Sequence, residues 1–240
     1  DLFAHADEVL NYLDEPFADS SALAVYILSK KVRQHVTVAL SGDGADELFT
    51  GYYKHQAEFQ MRYPDIRTQA LMLAHPLLKM LPQTRQNKVW NFNRQLVKFG
   101  DLRNGTNKER YWSLATFRNE ELANYLIKET WYPKFQRLSD NAYSYKKRKE
   151  DILQFITKEG GLNEVLLTDV CTVLSNDMLH KVDSMSMANS LEVRTPFLDH
   201  RMVNFAFSQP VAFKINANIR KKVVQDSMRE FLPEALFNRA

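Results

Sequence analysis

The chain has 240 residues, 45% of them apolar and 25% charged, with a formal net charge of +3. That balance describes a globular protein with one large domain or two small ones, and the charge gives no ground for a nucleic-acid partner. A single cysteine, Cys171, excludes an internal disulfide and suits a reducing compartment such as the cytoplasm, and no apolar run approaches the roughly 20 residues that cross a bilayer.

Phe3, Ala6, Val9, Leu10 and Leu13 keep helical spacing. Asp14-Glu15-Pro16 stops that helix, because proline disfavours helical backbone in the residue before it. Ser20 or Ser21 is a candidate cap for a second helix over Ala22–Arg33, with Leu23, Tyr26, Ile27 and Lys30 on successive turns. Residues 36–40, Val-Thr-Val-Ala-Leu, form an apolar, β-branched run that predicts a strand. Ser41-Gly42-Asp43-Gly44-Ala45-Asp46-Glu47 follows, and then a helical pattern returns. Strand, glycine loop and helix N-terminus make a site for phosphate, since free N–H groups and the positive end of the helix dipole face the ligand. Gly42 and Gly44 allow close backbone approach. Asp43, Asp46 and Glu47 would repel bare phosphate, but they suit magnesium, which is held by one or two carboxylates together with phosphate oxygens. The plainer reading is that Ser41 and Asp43 cap a helix whose first turn favours acids.

This order predicts an α/β fold with a parallel sheet, its ligands beyond the carboxyl ends of the strands. The sequence shows one clear strand, so its sheet partners are expected upstream of these residues. From Pro64 to about Glu159 the text is helical, punctuated by Pro64, Pro76 and Pro82 and dense in aromatics: Trp90, Phe92, Phe99, Tyr111, Trp112, Phe117, Tyr125, Trp131, Tyr132 and Phe135. These read as packing contacts rather than a base-stacking surface. Lys146–Lys149 reads as a solvated helix face, and Phe99–Gly105 as a surface loop.

Gly160-Gly161 breaks the pattern, and Asn163 is a candidate cap. Leu166, Val170, Val173, Leu174, Met178, Val182 and Met185 then mark one apolar stripe of a long helix ending near Ser190. Asp177 and Lys181, at i and i+4, predict a surface ion pair. Residues 191–199 read as a mixed loop in which Glu192 and Arg194 pair with each other or with Asp199. A final helix over Ile219–Phe231 turns Ile219, Val223, Val224, Met228 and Phe231 inward. The six histidines show no zinc-ligand spacing, and no Ser-His-Asp constellation is readable.

Three stretches carry a resemblance. Residues 41–52 resemble the second nucleotide-site motif of asparagine synthetases. Residues 180–200, His-Lys-Val-Asp-Ser-Met-Ser-Met-Ala-Asn-Ser-Leu-Glu-Val-Arg-Thr-Pro-Phe-Leu-Asp-His, and residues 14–23, Asp-Glu-Pro-Phe-Ala-Asp-Ser-Ser-Ala-Leu, resemble two further stretches of the same family. They stand in the family's order. The resemblance implies the family's synthetase domain, an adenine-nucleotide alpha-hydrolase-like fold related to the Rossmann type, over 1–240. Within it, 1–60 would be the nucleotide-site portion, 61–160 a helical portion, and 161–240 the other motif and the C-terminal helices. The family's Ser-Gly-Gly-x-Asp-Ser motif, its glutaminase domain and its last segment are not found here, so an internal piece of a longer chain is expected, inactive alone.

The resemblance also implies a chemistry. Aspartate is adenylated by ATP and magnesium to β-aspartyl-AMP, and ammonia drawn from glutamine displaces AMP. A homodimer and a cytoplasmic setting fit that family. Position by position, Ser41, Gly42 and Gly44 would contact the nucleotide and Asp46 would hold magnesium. Asp43 would lie near the aspartate or its adenylate, where the family often has glutamate. Asp14, Asp19 and Ser20 would border the aspartate pocket. Ser184 stands where the family often has a basic residue aimed at the phosphates, and Lys181 is the nearest substitute. The rival readings are a same-fold enzyme adenylating another carboxylate, of the β-lactam or peptide-cyclising kind, and a non-catalytic helical binding module.

Overall fold

The computed structural model describes residues 3–15, 17–116 and 145–237. In chain order its helices are α1 (Ala6–Tyr12), α2 (Ser21–Val32), α3 (Ala45–Phe49), α4 (Tyr53–Arg62), α5 (Ile66–Met80), α6 (Lys88–Asp101), α7 (Asn107–Ala115) and α8 (Tyr145–Leu153). There follow α9 (Leu162–Asp169), a π-helical stretch Val170–Met178, α10 (Leu179–Met187), α11 (His200–Ser208), α12 (Val211–Lys214) and α13 (Lys222–Met228). Two strands, β1 (Val38–Leu40) and β2 (Glu192–Arg194), pair in parallel, Val38 opposite Glu192 and Leu40 opposite Arg194. The chain divides into two compact units, Asp1–Gly51 with Leu166–Pro210, and Tyr52–Val165 with Val211–Ala240.

In the first unit Val9, Ala22, Tyr26 and Met185 form a buried cluster, with Leu13, Phe17, Leu23 and Ala188 packed against it. Asn189 and Arg33 tie α2 to the turn after α10: Asn189 Nδ2 donates to the Tyr26 carbonyl at 3.3 Å, and Arg33 Nε donates to the Ser190 carbonyl at 2.9 Å. The sheet corrects one expectation. The partner of β1 comes from within this chain, out of residues read as a mixed loop. Glu192 and Arg194 point to solvent and pair with each other at 2.8 Å, as one of the two pairings expected. Three residues of which two are charged carry too little apolar alternation to announce a strand.

Other boundaries shift. The first helix opens as a 3-10 turn at Phe3–His5. Ser20 occupies the N-cap of α2 without a side-chain bond, and Asp19 accepts from the Ser21 N–H (2.9 Å) and hydroxyl (2.7 Å) instead. Pro76 lies inside α5. The long helix is interrupted by the π stretch, whose wider turn moves the stripe: Leu166, Leu174 and Met185 are buried, while Val170, Val173, Met178 and Val182 are half-buried.

The second unit buries Tyr111, Leu153, Ile156, Leu162, Val165 and Ile215. Arg62 and Arg110 both pair with the buried Glu58, at 2.8 and 3.0 Å, joining α4 to α7. Residues 99–105 are not a loop. They complete α6 and a 3-10 turn whose Leu102 is buried. The last helix is shorter than the spacing suggests, and Met228 and Phe231 are exposed rather than inward, because the chain turns out of helix after Met228. Asn163 lies within α9 and accepts from Lys214 Nζ at 2.8 Å. Lys146–Lys149 lies on α8, with Lys149 Nζ 5.0 Å from the Trp112 ring centre. Phe117, Tyr125, Trp131, Tyr132 and Phe135 fall outside the described residues.

Candidate functional site

The chain leaves β1 at its carboxyl end through the loop Ser41–Gly44. The Ser41 N–H donates to the Arg194 carbonyl across the sheet at 2.8 Å, so the glycine loop and the end of β2 lie side by side. The Ser41 hydroxyl donates to Asp43 Oδ2, and the Asp43 N–H donates back to Ser41 Oγ at 3.2 Å. Loop side chains therefore set the turn. Gly44 closes it with φ of 88°, and a Cβ added there would meet Leu198 Cδ2 at 2.3 Å. At Gly42 an added Cβ meets nothing within 4 Å, which leaves that face open to a ligand.

Asp46 and Glu47 stand in the first turn of α3, Glu47 buried and Asp46 half-buried. The helix is short. It stops at Thr50, which takes the left-handed conformation with φ of 64°, and the Gly51 N–H returns to the Asp46 carbonyl at 2.8 Å. Phe49 anchors it edge-on against Phe197, ring centres 6.2 Å apart.

Lys181 belongs to a different cluster. Its side chain is buried and pairs with Asp19 Oδ2, with Met178 Sδ 3.6 Å away. The expected surface pair with Asp177 gives way to this contact, because α10 turns Lys181 toward the start of α2. Burial tends to raise the Asp19 pKa, but the hydrogen bonds from Lys181 and Ser21 outweigh it and hold the carboxyl at about 2. Asp177 goes the other way. Burial raises it first, and the Asp19 charge adds to that, against the pull of Lys181. Its Oδ1 is buried with no hydrogen-bond partner. The two carboxyls near this ammonium are thus shifted in opposite directions.

Of the residues expected at the site, Ser41, Gly42, Asp43, Gly44 and Asp46 share one loop and helix start, whereas Lys181 sits with Asp19 and Asp177. The spacing predicts Asp177 at the surface; in the structure it is half-buried and lies within the π stretch, which that spacing does not reveal. Among the described residues no three His, Cys, Asp or Glu side chains gather to hold a metal. Magnesium needs fewer, and a half-buried carboxylate at Asp46, one turn past the open face of Gly42, fits its oxygen-donor chemistry. No described helix is long and apolar enough to cross a membrane.

The family model described as asparagine synthase matches residues 1–240. The chain belongs to the asparagine synthase family. Asparagine synthetase [glutamine-hydrolyzing] 1 of Bacillus subtilis is 29% identical over 234 residues, 97% of this chain and 34% of its own length. A Mycobacterium bovis protein named within the same glutamine-hydrolysing synthetases is 30% identical over 244 residues, 100% of this chain and 34% of its own length. Amidase chry2 of Gibberella zeae is 19% identical over 256 residues, 99% of this chain and 36% of its own length. The chain thus spans about a third of the length of these relatives. No solved structure matches it.

Proposed function

We propose that the protein carrying this chain is an ATP-dependent amide ligase that makes asparagine from aspartate. One observation carries the reading. The bond from the Ser41 N–H to the Arg194 carbonyl joins the Ser-Gly-Asp-Gly loop to the Glu-Val-Arg strand, so two stretches far apart in sequence meet at the carboxyl ends of adjacent parallel strands. In α/β sheets that is where ligands bind.

A carboxylate is a poor electrophile, and adenylation supplies a leaving group. An oxygen of the aspartate side chain attacks the α-phosphorus of ATP, the bond to the β-phosphate oxygen breaks, and pyrophosphate leaves. The nitrogen lone pair of ammonia then attacks the acyl carbon, the bond to AMP breaks, and the nitrogen gives up a proton. In this reading the Ser41 hydroxyl and the Gly42 and Gly44 backbone receive the nucleotide. Asp46 holds magnesium, which supplies charge neutralisation at the pyrophosphate. Asp43, fixed by Ser41, faces the aspartate. Lys181 is committed to Asp19, and its part is to fix that carboxylate. Ammonia comes from glutamine hydrolysed elsewhere in the longer protein, in the cytoplasm, and the assembly is a homodimer.

The test is release of AMP and pyrophosphate from ATP and magnesium by the full-length protein, with ammonia supplied and aspartate present or omitted. Release that requires aspartate and is lost in Asp46→Ala is expected. Release with no dependence on aspartate would overturn the assignment.

A further inference from the structure

The second unit holds a cleft of about 750 Å³ between α4, α6 and α7, whose lining includes none of the residues assigned to the candidate site above. That volume is within the range of small-molecule sites, roughly 300–1,000 Å³. Its walls combine rings and cations: Tyr53 and Lys54 from α4, Lys98 and Phe99 from α6, and Arg110 from α7. The Tyr53 ring is 80% exposed, and the Arg220 guanidinium stacks on it 3.8 Å from the ring centre, which holds it in place.

The charges do not balance. Lys54, Lys98 and Arg110 outnumber the two acids that also reach the cleft, Asp101 and Glu109, and each acid is held by a bond of its own. Asp101 binds Lys79 at 2.6 Å and His75 at 3.3 Å. Glu109 accepts from the Thr106 N–H at 2.7 Å and its hydroxyl at 2.9 Å. Glu58 serves both Arg62 and Arg110, so that group carries one positive charge in excess, and Arg110 is the member of it that lines the cleft. Lys98 has no partner among the described residues. A partly apolar cleft with surplus positive charge attracts an anion and favours one with a flat ring.

We propose that this cleft binds a small aromatic anion, an aryl or heteroaryl phosphate or carboxylate, at a site separate from the Ser41–Asp46 loop. The ring lies against Tyr53 and Phe99, and the anionic group meets Lys98 and the surplus charge of Arg110.

The probes are phenyl phosphate, benzoate and inorganic phosphate, titrated into the full-length protein by calorimetry in low salt. Phenyl phosphate or benzoate should bind one per chain, and whichever binds more tightly identifies the anionic group. Lys98→Glu should weaken that binding at least fivefold, and Tyr53→Ala should weaken it too. Lys98 is exposed on α6, so its replacement leaves the fold intact. Asp46→Ala should leave the binding unchanged, which separates this site from the nucleotide loop. Absence of saturable binding, indifference to Lys98→Glu, loss in Asp46→Ala, or inorganic phosphate binding as tightly as both aryl probes would each overturn the proposal.

Discussion

Gly44 and Gly42 sit two residues apart and answer to different constraints. Gly44 needs its positive φ and the space that Leu198 occupies. Gly44→Ala should therefore destabilise the protein by about 1–3 kcal/mol, seen as a lower urea midpoint. Gly42 has open space, so Gly42→Ala should move stability by less than about 0.5 kcal/mol. It should still depress aspartate-dependent AMP release, because the new methyl group lies on the face left for ligand. Equal stability losses in the two variants would contradict this division. Asp177 gives a sharper residue-scale test. A carboxyl whose pKa the fold raises is a penalty when ionised, fully present at neutral pH and relieved as pH falls through the raised value. Asp177→Asn should therefore stabilise the protein at pH 7, and the gain should vanish in acid. A gain that persists at low pH would mean that packing, not charge, is responsible.

At the scale of elements, helices were legible wherever apolar spacing was regular, as in α1 and α2. The glycine loop was legible from composition, since few contexts place two glycines and three acids after a β-branched run. β2 was not legible, because its meaning lies in a pairing with β1 that no local pattern encodes. The π stretch was equally hidden, and with it the true position of Asp177. The Glu58 group shows a further limit. Glu58, Arg62 and Arg110 look like ordinary surface charges in sequence, yet Glu58 is 1% exposed and joins two helices. Glu58→Gln would leave two arginines facing each other with no carboxylate. A loss of about 3 kcal/mol or more is expected in chemical unfolding, the cost of breaking a buried pair. A loss below about 1 kcal/mol would show that water already screens the group.

At the scale of the whole molecule, the two units should answer pH at opposite ends. In the first, the Asp19 carboxyl is held at about 2, below its ordinary 3.8. Its contribution is fully present above about pH 4 and is lost as pH falls toward 2. In the second, Lys214 is fully buried, and burial lowers it from 10.5 to about 8. Below pH 8 the fold carries the penalty of a buried ammonium. Between about 8 and 10.5 the folded state gives up the proton while the unfolded chain keeps it, so stability rises with pH, by about 1–3 kcal/mol. Lys214→Met should stabilise the protein at pH 7 and flatten that rise. The sequence supplies one probe for each unit. Among the described residues the tryptophans, Trp90 and Trp112, belong to the second unit, while the single cysteine, Cys171, is exposed in the first and accepts a thiol dye. Urea unfolding followed by tryptophan fluorescence should gain midpoint from pH 8 to 10. The dye signal should lose midpoint from pH 4 to 2 and be spared that loss in Asp19→Asn. If both probes move together at both ends, the units unfold as one, and the two groups act on a single shared transition.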